Sequence, residues 1–183
     1  MPSLDKTLKH FKNEIEHQIT DVFIAFENAC KHDNHELNIT FEPLALNLRK
    51  AKSLAFRDVK NHFVRNENSY YHYFDMREEQ LDLLKRMKFL IENIQIKDPI
   101  LDRISQLLSE IGSNVNSNDY TALRLHSLYE IRLSLDELPL PTSHQALNSR
   151  ANIIQLLNEL EEYLNIKSQF GSLKLHSEIK NYA

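Results

Sequence analysis

The chain has 183 residues, with 22 Lys and Arg against 26 Asp and Glu, a formal net charge of -4. That length suits a single domain with a substantial core, and the near-balanced charge gives no global field to draw in nucleic acid or an acidic membrane surface. Only two glycines and five prolines occur, too few for the hairpins, Gly-rich phosphate loops and tight catalytic turns of Rossmann or P-loop folds.

Taken in order, Leu4, Leu8, Phe11, Ile15, Ile19, Val22, Phe26 and Ala29 recur at helical spacing behind a capping Ser3, which predicts a first helix over residues 4–31. A polar run from Lys31 to Glu36 ends it, and Thr40 with Pro43 signals the next start. After Pro43 neither Gly nor Pro intervenes as far as Ile96, so one very long second helix of some 55 residues from about Glu42 to Ile96, about 80 Å, is expected. A seam at alternating steps of three and four runs along it: Phe56, Val59, Phe63, Asn66, Tyr70, Tyr73, Arg77, Gln80, Leu84, Met87, Ile91 and Ile94. Poor helix formers cluster at Asn66-Glu67-Asn68-Ser69, but the seam keeps its register across them, which favours one continuous helix.

Asp98-Pro99 caps and opens a third helix with Ile100, Ile104, Leu107, Leu108 and Ile111 inward, ending near Gly112. Asn118-Asp119 opens a fourth, carrying Leu128, Ile131, Leu135 and Leu138, which Pro139 and Pro141 stop. Thr142 with Gln145 has the form of a capping box, with Ser143 as an alternative cap, and the fifth helix carries Leu147, Ile153, Ile154, Leu157, Leu160 and Leu164 to an end at Phe170-Gly171. The expectation is an all-α, elongated antiparallel bundle of about five helices, in a single domain over residues 1–183. No stretch approaches the roughly 20 apolar residues of a membrane span, so the chain as given reads as soluble.

Candidate chemistry is sparse. The histidines form no HExxH and no pair with carboxylates at bundle-metal spacing, His32 and His35 lying in a polar loop, so no metal or other cofactor is expected. Cys30 sits in an apolar helical face, and Glu159, Glu161 and Glu162 read as a solvated face, so no enzyme is expected. Arg49, Lys50 and Lys52 on an acidic chain do not make a nucleic-acid surface.

The unusual feature is the polar middle of the seam. Arg77 is costly to bury alone, and it needs a carboxylate such as Glu161, water or an anionic ligand. In one reading Asn66, Tyr70, Tyr73, Arg77 and Gln80 form a polar layer that fixes helix register. In another, Arg77 forks onto a small carboxylate while Tyr70, Tyr73 and Phe74 supply an aromatic wall, a combination suited to an aromatic acid. Contact with a partner protein is a third.

A family resemblance rests on these same residues. The stretch Tyr70-Tyr71-x-Tyr73-Phe74-x-Met76-Arg77-x-x-Gln80-Leu81-x-x-Leu84-x-Arg86-Met87, then Leu138-Pro139-x-Pro141-Thr142 leading to Arg150-Ala151, then Leu156-Leu157-Asn158-Glu159-Leu160-Glu161-x-Tyr163-Leu164 on to Phe170, resembles the C-terminal domain of the bacterial putative aromatic acid exporter family. Around Ala146 to Arg150 the chain departs from the family's Phe-Glu-Asn-Arg type of pattern: Leu147 fills the aromatic position, the acidic neighbour is lost, and Arg150 remains. The resemblance implies a helical, non-enzymatic domain on the cytoplasmic side of the cell membrane, excised from a longer protein whose N-terminal transmembrane domain is its partner and is related to fusaric-acid-resistance-type exporters. Its role would be regulatory or oligomerising, as a homo-oligomer, marked by exposed apolar positions outside the bundle seam. The alternatives are a generic helical protein-interaction module, or sensing of a small aromatic carboxylate with Asn66, Tyr70, Tyr73, Phe74, Arg77, Gln80 and Arg150 as binding residues.

Overall fold

Apolar residues at three- and four-residue spacing make helices nearly throughout. The computed structural model describes residues 3–32, 36–61, 68–116 and 121–182, with side chains except those of 58–61, 68 and 172–182. Among them lie six helices and no strand: α1 (Leu4–Lys31), α2 (Glu42–Asn61), α3 (Asn68–Glu92), α4 (Ile100–Ser113), α5 (Thr121–Glu137) and α6 (His144–Tyr182). The all-α bundle agrees with the sequence reading.

Local capping chemistry explains several of the starts. Ser3 Oγ accepts the Lys6 amide at 3.3 Å, and Asp98 Oδ1 accepts the Ile100 amide at 3.1 Å. Ser143 caps α6, accepting the Ala146 amide at 3.1 Å, while Gln145 donates across to Gln95 instead of closing a box with Thr142. The Asn118-Asp119 start of the fourth predicted helix lies outside the described residues, but its inward positions Leu128, Ile131 and Leu135 are buried as expected.

The very long second helix is not found. Lys52 Nζ lies 2.8 Å from Asp75 Oδ1, whereas twenty-three residues of continuous helix would hold the two about 35 Å apart along the axis. The Phe56 and Tyr71 rings likewise meet, at 6.1 Å between centroids. Thus α2 and α3 pack antiparallel, with Phe63 and Asn66 in the intervening segment outside the described residues. The physical reason lies in the stripes. The inward residues of α2 are Leu44, Leu48, Ala51 and Ala55, and Phe56, counted in the expected seam, is 49% exposed. Only from Tyr73 onward does that seam coincide with the core.

The last helix also differs from expectation. It runs through Gly171 to Tyr182, 39 residues in all. A glycine in a helix costs only about 1 kcal/mol relative to alanine, and with no proline after it the helix continues. Antiparallel packing of α3 and α6 is fixed along its length: Gln80 bonds to the Tyr163 carbonyl, Arg86 grips Glu159 with two nitrogens, and Asn152 donates to the Asn93 carbonyl. Further on, α4 and α5 pair through Arg124 with Glu110 and Arg103 with Ser134. Among the described elements α5 packs only on α4 and α6, an edge position. No described helix is long and apolar enough to cross a membrane.

The tightest crossing is between α1 and α4. A Cβ on Gly112 would stand 2.9 Å from the Phe23 Cβ, and Thr20 Oγ1 donates to the Gly112 carbonyl at 3.3 Å. Gly112→Ala is therefore expected to destabilise the chain by about 1–3 kcal/mol, because the clash outweighs the better helix propensity of alanine. Gly171 has nothing within 4 Å, so Gly171→Ala is expected to stabilise by roughly 0.5–1 kcal/mol. Urea unfolding of the two variants, read as midpoints at constant slope, checks the opposite signs.

Candidate functional site

The polar middle of α3 is a closed network. Tyr73, Arg77 and Gln80 share one face of α3, Glu16 reaches them from α1, Tyr163 from α6, and the Val115 carbonyl from the turn after α4. Arg77 is 2% exposed. Its Nε donates to the Tyr73 hydroxyl at 2.9 Å, Nη1 to Gln80 Oε1 at 2.9 Å and to the Tyr163 hydroxyl at 3.4 Å, and Nη2 to the Val115 carbonyl at 2.7 Å. The Tyr73 hydroxyl in turn donates to Glu16 Oε1 at 2.7 Å. One phenol thus links the guanidinium to its counter-charge, and Gln80 Nε2 completes the layer on the Tyr163 carbonyl at 3.0 Å.

Aromatic packing holds these groups still. The guanidinium carbon lies 5.1 Å from the Tyr73 ring centroid. The Phe170 ring meets Tyr73 edge-on at 5.7 Å, and Phe23 meets Tyr163 edge-on at 5.1 Å. Burial alone would lower the Arg77 pKa, but the Tyr73 and Tyr163 phenols and the Glu16 carboxylate together outweigh it and raise it, so the cation is kept. Burial raises the phenol pKa of both Tyr73 and Tyr163, with Arg77 pulling the other way.

The seven residues expected to bind a ligand do not converge. Tyr73, Phe74, Arg77 and Gln80 come together but are buried, and their polar atoms are engaged with one another or with neighbouring helices. Tyr70 stands half-buried at the edge, stacked on Phe74 at 6.2 Å. Asn66 lies outside the described residues. Arg150 belongs to another place, thirteen residues before Tyr163 on α6 and so about 20 Å along the helix. Glu161, the carboxylate expected for Arg77, pairs with Arg132 of α5.

Three side chains and one carbonyl escaped the sequence reading. Glu16 carries the Arg77 counter-charge, and its signal was its place three residues before Ile19 and seven before Phe23, in line with the buried stripe of α1. Tyr163, 1% exposed, follows Leu160 by three. Glu159, read as solvated, is 8% exposed and joins α6 to Arg86 of α3. The Val115 carbonyl left no mark in the sequence, because any residue supplies one.

Arg150 lines a cleft of ≈ 310 Å³ between the α3–α4 turn, the Leu138–Pro141 segment and the start of α6. Its walls are largely apolar: Ile96, Leu138, Pro139, Pro141 and Ala146. Arg150 Nη2 donates to Asp98 Oδ2 at 3.2 Å, while Asp98 Oδ1 is occupied by the Ile100 amide. The contact is made by one nitrogen alone, and Arg150 Nε is buried without a hydrogen-bond partner. Next to it Ser149 Oγ accepts the amides of both Gln95 and Ile96, at 3.1 and 3.2 Å. Among the described residues no group of three or more His, Cys, Asp or Glu is gathered as a metal site would require; His35 lies outside them.

The model of a known family, described as the putative aromatic acid exporter C-terminal domain, matches residues 5–168. The chain belongs to that family. A curated relative of this exporter-domain chain, the uncharacterized protein YqjA of Bacillus subtilis (strain 168), is 32% identical over 175 residues, which are 95% of this chain and 54% of the relative. The exporter-domain chain thus spans about half the length of that relative. Among solved structures, a putative membrane protein from Clostridium difficile 630 shares the fold with a TM-score of 0.68 at 16% identity, over 89% of this chain and 98% of that one.

Two outcomes are expected of the polar layer in this exporter-family domain. Arg77→Met strands Glu16, Tyr73, Gln80 and the Val115 carbonyl in the core, and the loss is put at about 3–5 kcal/mol in chemical unfolding, with the helical spectrum kept at low denaturant. The second concerns alkali. Cys30, ordinarily 9.0, is pushed up to about 12 by burial, and Tyr73 and Tyr163, ordinarily 10.0, are raised as well. Above pH 9 the unfolded chain sheds these protons before the folded one does, so stability present at neutral pH falls as pH rises, by about 1.4 kcal/mol per pH unit for each proton. Urea midpoints from pH 7 to 11 check this, with Tyr73→Phe and Cys30→Ala each expected to flatten the fall.

Proposed function

We propose that this chain is the non-enzymatic, cytoplasmic-side domain of an aromatic acid exporter, following a transmembrane domain in the full protein, and that it brings subunits together and sets their packing. The observation that carries this reading is the apolar surface outside the bundle core. On and just after α5, Leu123 is 54% exposed, Tyr129 57%, Leu133 46% and Leu140 86%. Large apolar side chains exposed together on one edge element are characteristic of an interface. The polar layer supports it from inside. With four of its five guanidinium N–H groups bound within the protein and Arg77 2% exposed, the layer offers a substrate no access and serves instead as a rigid register device.

A second reading has its own observation. The cleft at Arg150 sets a guanidinium beside apolar walls, the combination typical of a small-molecule site. A small aromatic carboxylate is the ligand class that fits: one oxygen for the Arg150 edge, with the ring against Leu138, Pro139 and Pro141. Such a ligand would act as a regulator of the assembly, through the turn between α3 and α4.

Both readings are open to measurement on the chain as it stands. Sedimentation equilibrium from about 1 µM to about 1 mM is expected to reveal a reversible self-association, weak enough to need the upper part of that range. A monomer throughout overturns the assembly reading. Calorimetric titration with benzoate and its relatives is expected to give saturable binding that Arg150→Met abolishes and an aliphatic carboxylate does not reproduce. No heat from any member of the panel removes the second reading.

A further inference from the structure

The outward face of α5 has an order of its own. Ala122, His126, Tyr129, Leu133 and Asp136 follow one another at steps of four, three, four and three, and all five are exposed. That is a second seam, distinct from the inward one of Leu128, Ile131 and Leu135. A helix with ordered stripes on opposite sides is built for two neighbours, yet among the described elements α5 packs only on α4 and α6.

We infer that this seam is a two-fold interface, and that its occupant is α5 of a second copy of this chain, running antiparallel. The deduction rests on the proposed assembly role and names the surface that performs it. Read as heptads, His126 and Leu133 take the first core position and Ala122, Tyr129 and Asp136 the second. Antiparallel pairing sets each first position against a second position of the other helix. His126 then faces the partner's Asp136 and Leu133 faces the partner's Tyr129, each layer occurring twice about one axis. The pattern is self-complementary: an imidazole meets a carboxylate, and an aromatic ring meets leucine.

A parallel pair has no such match. It would set His126 on His126 and Asp136 on Asp136, like on like. In the free chain His126 Nε2 already lies 3.0 Å from Glu130 Oε1 of its own helix, which leaves Nδ1 for the partner's Asp136 and tempers the Glu130 carboxylates near the axis. Residues 122–136 span about 21 Å, and a single helix pair of that length falls short of the ~1,200–2,000 Å² buried in stable stand-alone complexes. The contact is therefore weak in solution and gains its strength when subunits are tethered to one membrane.

Disulfide trapping tests the register. Chains carrying His126→Cys are mixed with chains carrying Asp136→Cys under mild oxidation, Cys30 being buried and out of reach. The mixture is expected to yield a cross-linked dimer, and either variant alone is not, since equivalent positions 126 lie about 15 Å apart along the axis in the antiparallel pair. Efficient trapping of the His126→Cys chain by itself means parallel pairing and overturns the inference. A wild-type dimer in sedimentation with no trapping in the mixture places the interface elsewhere: α5 fails and the assembly role stands. A monomer at every concentration ends both. Charge exchange gives a second reading of the same layer. His126→Glu is expected to weaken association ~10-fold or more, and His126→Glu with Asp136→Lys to restore it to within ~3-fold. A double variant as weak as the single one overturns the His126–Asp136 pairing.

Discussion

One buried cation governs the architecture. Arg77 cannot be left in an apolar core without acceptors, and the acceptors it uses come from four places: Tyr73 and Gln80 on its own helix, Tyr163 on α6, the Val115 carbonyl after α4, and Glu16 on α1 through the Tyr73 hydroxyl. Each of these must be in register for the others to be satisfied. Apolar residues alone would allow α1, α3 and α6 to slide by a turn at modest cost. The guanidinium does not, because a slide of α3 by one turn, about 5.4 Å, breaks the bonds to Glu16, Tyr163 and the Val115 carbonyl together.

Around this layer the remaining polar contacts divide the work. Arg86 with Glu159 and Asn152 with Asn93 fix α6 along α3, Lys52 with Asp75 and Glu78 fixes α2 along α3, and Arg132 with Glu161 holds α5 to α6. These pairs stand at the margins of the core, where solvent screens them and their individual contribution is small. Their value lies in direction: each one matches a particular pair of levels on two helices. The edge helix α5 is the exception, being bound among the described elements on one side only and bearing a second ordered stripe on the other.

How much of this was legible in the sequence depended on whether the signal was local. Helical periodicity located α1, α4, α5 and the start of α6, because spacing and capping residues such as Ser3, Asp98 and Ser143 act within a few positions. The reversal between α2 and α3 was missed because both helices carry stripes at the same phase, so that a seam drawn from Phe56 to Ile94 looked unbroken. Only long-range pairing, Lys52 on Asp75, distinguishes a hairpin from a rod. In the polar layer, Tyr73, Arg77 and Gln80 were visible as polar residues at core spacing, whereas Glu16 and Tyr163 needed three helices to be brought together. Grouping Arg150 with Arg77 was a consequence of residue type: two arginines on inward-looking positions, but on levels of the bundle that never meet.

The order of the elements along the chain has a consequence for how the domain is made. Ser149, Arg150, Glu159 and Tyr163 all lie on α6, which leaves the ribosome after the other five described helices, and they serve partners on α3 and in the turn that follows it. Until residue 163 has emerged, the nascent chain holds a guanidinium in the middle of α3 with its layer incomplete, and the amides of Gln95 and Ile96 lack their acceptor. The first five helices are thus synthesised as an unfinished bundle, committed to its final register only when the last one closes over them.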